Sequence, residues 1–166
     1  MKYSSFLLAA MIIMLPGCSQ IKTADYSGFT NIGNEGMPTG WVYEFSPFSP
    51  DSTLNLSGVY DVVITVRYTN NCPSQSVIFN IEQFSLIQDQ PDSVRIEIPL
   101  FDDEGTPLGK SRYGINEMTD TIRRSYRIPE GYTLSLSSPL PTEATAGIKS
   151  VGLVLANQTR AKYLFW

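Results

Sequence analysis

Val59-Tyr60-Asp61-Val62-Val63-Ile64-Thr65-Val66-Arg67-Tyr68-Thr69 decides the fold class of this chain. Polar residues interrupt apolar ones through it, and most of its residues are β-branched or aromatic. That pattern suits a pleated strand buried on one side and disfavours a helix. Tyr60, Val62, Ile64, Val66 and Tyr68 share one face, expected to be core, while Asp61, Val63, Thr65 and Arg67 share the other. The same period of two recurs at Trp41 to Phe45, Val77 to Leu86, Ser93 to Phe101, Thr121 to Ile128, Tyr132 to Ser138 and Lys149 to Ala156. In Ser93 to Phe101, Val94, Ile96 and Ile98 are expected to point inward, and Arg95 and Glu97 outward. No segment carries the apolar spacing of a long amphipathic helix. Short strands broken by turns such as Asp102-Asp103-Glu104-Gly105 and Pro129-Glu130-Gly131 favour antiparallel pairing. The expected fold is therefore all-β: an antiparallel β-sandwich, jelly-roll-like.

Ahead of these strands the chain has a different character. Lys2 gives a minimal positive start, Phe6 to Leu15 form an apolar run, and Leu15-Pro16-Gly17-Cys18 closes it in the manner of a bacterial lipoprotein signal. The run falls short of the roughly 20 residues that cross a bilayer and stops at a Pro-Gly pair. Residues 1–17 are thus expected to be a signal peptide and Cys18 the lipid-attachment residue. An ordinary secretory signal is the alternative, kept open by Pro16 two positions before the cysteine. Two or more acyl chains anchor firmly where one alone binds reversibly. Residues 18–38, rich in Ser, Gly, Asn and Thr, read as a flexible tether whose root-mean-square span is on the order of 25 Å, with Tyr26, Phe29 and Ile32 leaving open the alternative that part of it packs on the domain. Residues 39–166 read as the sandwich domain.

Cleavage leaves about 150 residues, the size of one domain. The net charge of −4 becomes one unit more negative once Lys2 is removed. That balance argues against nucleic acid and against anionic headgroups as direct partners, since both call for a basic patch. With Cys18 acylated, Cys72 has no partner for a disulfide, and its setting in Asn70-Asn71-Cys72-Pro73 reads as a turn. The chain contains no histidine, which removes Ser-His-Asp and Cys-His catalysis and leaves any metal site to oxygen ligands. Asp102, Asp103 and Glu104 lack the alternating carboxylates of a calcium loop and fit turn chemistry instead. Glu44, Glu82, Glu97 and Glu117 are scattered, and nothing in the sequence pairs them as a glycosidase requires. The sequence accordingly assigns no catalytic residue, no cofactor and no metal ligand, and the chain is not read as an enzyme. Trp41, Tyr43, Phe45 and Phe48 lie close enough to form an aromatic platform for a sugar, although packing is the preferred reading. Tyr163-Leu164-Phe165-Trp166 is read as a docked aromatic cap or a handle for a partner. A barrel wall is disfavoured because Arg67, Arg95 and Glu97 sit on the outward faces of the best strands.

A further set of residues occurs in a telling order. Gly40-Trp41 follows the cysteine, then Tyr60 to Arg67 with Thr69-Asn70-Asn71 and a proline. Asp92-Ser93-Val94 leads into a strand that ends near Asp103-Glu104-Gly105, with Leu108-Gly109-Lys110 beyond. Pro129-Glu130-Gly131-Tyr132-Thr133 and Ile148 to Leu153 close the series. In this order, over roughly Gly40 to Leu155, the chain resembles the gliding-motility lipoprotein H family. Pro16 and the short Trp41 to Phe45 strand depart from the family pattern. The resemblance implies a β-sandwich outer-membrane lipoprotein attached to motility and secretion machinery. It carries over Cys18 alone and no catalytic residue. The expected function is a lipid-anchored, non-enzymatic structural or assembly component; the alternative is a surface glycan-binding β-sandwich module. Expected partners are the membrane, through the anchor, and other envelope lipoproteins or outer-membrane proteins. Ser19 after the cysteine, with no acidic cluster following, favours the outer membrane and its periplasmic face over the cell surface.

Overall fold

The structure, a computed structural model, describes residues 26–45, 58–85, 88–128 and 132–157. The signal segment 1–17, Cys18, Phe48, the Pro129-Glu130-Gly131 turn and Tyr163 to Trp166 lie outside those residues. The described strands are β1 (Tyr26–Asn31), β2 (Val42–Phe45), β3 (Gly58–Tyr68), β4 (Ser76–Ser85), β5 (Gln88–Pro99), β6 (Lys110–Arg112), β7 (Ile115–Ile128), β8 (Tyr132–Ser137) and β9 (Ile148–Asn157). Thr142–Thr145 forms a single 3-10 turn between the last two.

Strand order is β1-β9-β3-β7-β6 in one sheet and β2-β8-β4-β5 in the other, with every pairing antiparallel. Apart from the β4–β5 and β6–β7 hairpins, each connection passes from one sheet to the other. Set aside the three-residue β6, and the order 1-9-3-7 facing 2-8-4-5 is that of an eight-stranded jelly roll. The expected all-β antiparallel sandwich is therefore the observed fold.

Periodicity placed the core correctly. Tyr60, Val62, Ile64, Val66 and Tyr68 of β3 are all 3 % exposed or less. They meet Val77, Phe79 and Ile81 of β4, Leu134 and Leu136 of β8, and Val151, Leu153 and Leu155 of β9 in one continuous cluster. Each large side chain so buried contributes about 1.5–3 kcal/mol relative to exposure. On β5, Ile98 is buried and Val94 and Ile96 are half-buried, whereas Arg95 and Glu97 face solvent. The opposite face of β3 is less polar in its surroundings than alternation implies. Asp61 and Thr65 are buried there, and Asp61 Oδ1 accepts the Ser125 N–H at 2.9 Å where β7 bulges and Ser125 takes φ 51°.

The predicted tether needs correction. Its described part, residues 26–38, belongs to the sandwich: Tyr26 to Asn31 pair with Leu155 to Ser150 of β9, and Ile32 and Met37 are in the core. Two glycines make this possible. Gly28 leaves room for the Phe45 ring and the Tyr43 hydroxyl from the opposing sheet, at 2.7 and 2.9 Å from where a Cβ would stand. Gly152, opposite Phe29 on the outer face, lets the Phe29 ring lie across β9 in the space its own side chain would fill. β1 thereby covers the edge of β9, which would otherwise be an open ladder. The short polar β6 and the first half of β7 are likewise additions to the expected strand set.

The loop after β1 is fixed by Gly36, whose φ of 102° is left-handed and whose missing Cβ would strike the Thr142 carbonyl and the Thr145 hydroxyl. Gly36→Ala should therefore destabilise by about 2–4 kcal/mol. Gly33→Ala, with nothing within 4 Å of its Cβ position, should stay within about 0.5 kcal/mol of the parent in urea denaturation.

Candidate functional site

β1 runs from Tyr26 toward Asn31 while its partner β9 runs from Ile148 toward Asn157, and β3 ends at Tyr68 opposite Ile148 and Asn116. The sandwich thus has a Tyr26 end, where the chain arrives from Cys18, and a Tyr68 end. The loops 32–41, 69–75, 100–109 and 138–147 all gather at the Tyr68 end.

There they are joined by specific bonds. Tyr68, fully buried, places its hydroxyl against the carbonyls of Leu100 and Leu108, the latter at 2.7 Å, and stacks edge-on with Phe101 at 5.3 Å. It pins the β5–β6 loop to the end of β3. Burial raises the Tyr68 pKa, with the hydrogen bond at Leu108 acting the other way. Loop 138–147 is held from two sides: Ser74 Oγ donates to the Ala144 carbonyl at 2.6 Å, and the Met37 N–H donates to Thr145 Oγ1 at 2.7 Å. The buried Asn116 donates to Asn70 Oδ1 at 2.7 Å, tying β7 to the β3–β4 loop.

From this end projects the β6–β7 hairpin. Arg112 pairs with Ile115 across a two-residue loop, Tyr113-Gly114, in which both residues have positive φ, 52° and 78°. Positive φ at both centres defines a type I′ turn, whose first position ordinarily takes Asn, Asp or Gly. Tyr113 is 91 % exposed, against 55 % for Val42 and 41 % for Phe29. The Arg112 guanidinium stands 5.2 Å from its ring centroid. Below the tip, Lys110 and Arg67 flank Glu117, which accepts from Arg67 Nε at 2.7 Å, and Arg67 also lies 4.8 Å from the Phe29 centroid.

The residues singled out in the sequence fall in several places. Cys72 is buried in the turn expected of it, its N–H donating to the Thr69 carbonyl at 3.1 Å, and burial raises its thiol pKa. That is the opposite of nucleophile activation. Asp102 spends its Oδ1 on the N–H groups of Glu104 and Thr106, at 3.1 and 2.7 Å, which is turn chemistry. Glu117 pairs with Arg67 on one sheet, and Glu97 accepts from Ser76 on the other. Glu44 and Glu82 flank Ser135 from either side on the outer face of the second sheet. Of the aromatic group, Phe45 is buried and meets Tyr26 edge-on at 4.8 Å, while half-buried Trp41 and Tyr43 stack on each other at 6.5 Å. Those rings close the β1–β2 side of the sandwich, with burial and Tyr26 raising the Tyr43 pKa. Sequence reading passed over Tyr113, although a Gly-containing pair between a polar triplet and Ile115 is itself a hairpin signal. Among the described residues no helix is long and apolar enough to cross a membrane.

No protein-family model, curated protein or solved structure matches this chain.

Tyr68→Phe should cost about 1–2 kcal/mol, since the Leu108 carbonyl loses its buried donor. It should also speed amide exchange in residues 100–108. Raised pKa values for Cys72 and Tyr68, whose ordinary values are 9.0 and 10.0, mean that the unfolded chain releases these protons at lower pH than the folded one. Stability should hold through neutral pH and fall above about pH 9. Urea midpoints measured across that range should show a shallower alkaline fall in Tyr68→Phe.

Proposed function

We propose that the chain is a lipid-anchored, non-enzymatic envelope lipoprotein that serves as a structural or assembly component, in the manner of the gliding-motility lipoprotein H family it resembles. The observation that carries this reading is Cys18 directly after Leu15-Pro16-Gly17, with only Ser19 to Asp25 between it and the first strand at Tyr26. An acylated cysteine so close to a folded unit is a short mooring, about 27 Å even when fully extended. Several features support a binding role over a chemical one. Histidine is absent from the sequence, the thiol of Cys72 is buried, and Asp102, Glu97 and Glu117 are each engaged in local structure.

In this reading the anchor sets the address, favouring the periplasmic face of the outer membrane, and the sandwich presents surfaces to other envelope lipoproteins or outer-membrane proteins. Function then depends on Cys18 by confinement: holding the domain at one surface raises its effective concentration for neighbours on that surface. In cells fed an alkyne palmitate, the parent chain should be labelled and should sediment with membranes. Cys18→Ala should lose the label and become soluble, with an unchanged circular dichroism spectrum and thermal midpoint. Persistent labelling of Cys18→Ala, or an unlabelled parent, would overturn the anchor.

A further inference from the structure

We propose that the β6–β7 hairpin tip, Arg112-Tyr113-Gly114, is the contact by which this domain docks onto an acidic surface of a partner protein, at the end of the sandwich away from Cys18. The orientation rests on the anchored reading above; the tip itself rests on its own geometry. Tyr113 projects a large amphipathic ring almost wholly into solvent, 91 % exposed, from a rigid two-residue turn. Tyr113 holds a left-handed φ of 52° at a turn position where smaller residues cost less, and it makes no core contact that compensates. Asn or Gly would form the same turn more easily. A residue that is both strained and exposed points to a use for its side chain.

The charge of the tip points to the partner. Lys110 and Arg112 are exposed, and among the described residues neither enters an ion pair. They stand out on a chain of net charge −4. A Tyr-Arg pair is the composition of protein–protein hot spots: the ring fills a pocket, and the guanidinium, already over the ring at 5.2 Å, takes a carboxylate at its rim. A bilayer is the weaker fit. Two cations and one ring fall short of the about four to eight basic residues that mark a headgroup cluster. The tip also lies roughly 25 Å along the strands from the level of Tyr26, where the anchor enters, counting Val62 to Tyr68 and the turn beyond. In the anchored reading, a domain standing on its Tyr26 end holds the tip away from its own membrane.

The test is photo-crosslinking in the native cell, using the full-length chain with p-benzoylphenylalanine in place of Tyr113 and, as a control, in place of the exposed Glu82. A discrete protein adduct from position 113, mapped by mass spectrometry to an acidic segment of one partner, is expected. Yield from Glu82 should be at background, and Arg112→Glu in the 113 probe background should lower yield about fivefold or more. Purified Tyr113→Asn should show a higher thermal midpoint and, in competition, should not displace the adduct-forming chain. Adducts to lipid alone, equal yields at both positions, or no adduct from a membrane-bound chain would overturn the proposal. Palmitate labelling of the same samples separates the two readings. Label without adduct removes the tip and keeps the anchor; adduct without label keeps the tip and removes the anchor; neither signal removes both.

Discussion

The register of β3 is the constraint on which the rest of the molecule depends. The strand is paired on both sides, to β9 and to β7, and its side chains alternate with a strict period of two. A slip of one residue would carry Tyr60, Val62, Ile64, Val66 and Tyr68 to the outside and bring Asp61 and Arg67 into the core, where unpaired charge is costly. Because the register is held, Thr65 stands opposite Gly152 on one side and Thr119 on the other, and Arg67 stands opposite Ser150 and Glu117. The Phe29 ring can then cross Gly152 to reach the Arg67 guanidinium, and Arg67 can reach Glu117. These outer contacts are individually small, since exposed ion pairs and cation–π contacts contribute about 1 kcal/mol or less. They tie the edge strand β1 to the sheet once the core has set the pairing. At the far end of the same strand, parity turns Tyr68 inward so that its hydroxyl meets Leu100 and Leu108 between the sheets.

The same logic explains which parts of the fold were legible in the sequence. Central strands bury one face against the other sheet, so their alternation is written in β-branched residues, as in β3, β4 and β9. β1 was not legible because its inward positions are Tyr26, Gly28 and Thr30, with Gly28 apolar only by what it admits. What makes it a strand is a complementarity with Phe45, Tyr43 and Gly152, residues distant in sequence. The first half of β7 was missed for a related reason. Asn116 is buried there through a hydrogen bond to Asn70, a signal that composition reads as loop. β6 is exposed throughout and exists only as the arm of a turn. Turn chemistry itself was more readable: Asp102 and Cys72 act locally, and local rules describe them.

Site legibility divides along the same line. The proposal for Cys18 rests on its neighbours in sequence and on nothing in the fold. Tyr113 is the reverse. A tyrosine in a polar stretch says little until φ and exposure are known, because an identical residue one turn position away would be an ordinary surface side chain. The pKa directions add a consistent element: burial raises both the Cys72 thiol and the Tyr68 phenol, so the buried bonds of Tyr68 to Leu100 and Leu108 are made by a neutral hydroxyl across the neutral range.

Assigning residues 26–38 to the sandwich also changes how an anchor at Cys18 would act. A tether through residue 38 would be a soft spacer with the span of a random coil, leaving the domain free to tumble. With Tyr26 already in β1, only Ser19 to Asp25 separate Cys18 from the described sandwich, about 27 Å of chain at full extension. Beyond that point distance accumulates along hydrogen-bonded strands, whose length does not fluctuate in the same way. The height of the Tyr68 end above a membrane would then be bounded by that short segment plus roughly 25 Å of strand, and a contact presented there would be searched over a thinner layer. In a thin layer a modest interface suffices, because mooring supplies the effective concentration that affinity would otherwise have to provide. A single strained tyrosine with one arginine beside it is the scale of contact that such an arrangement can use.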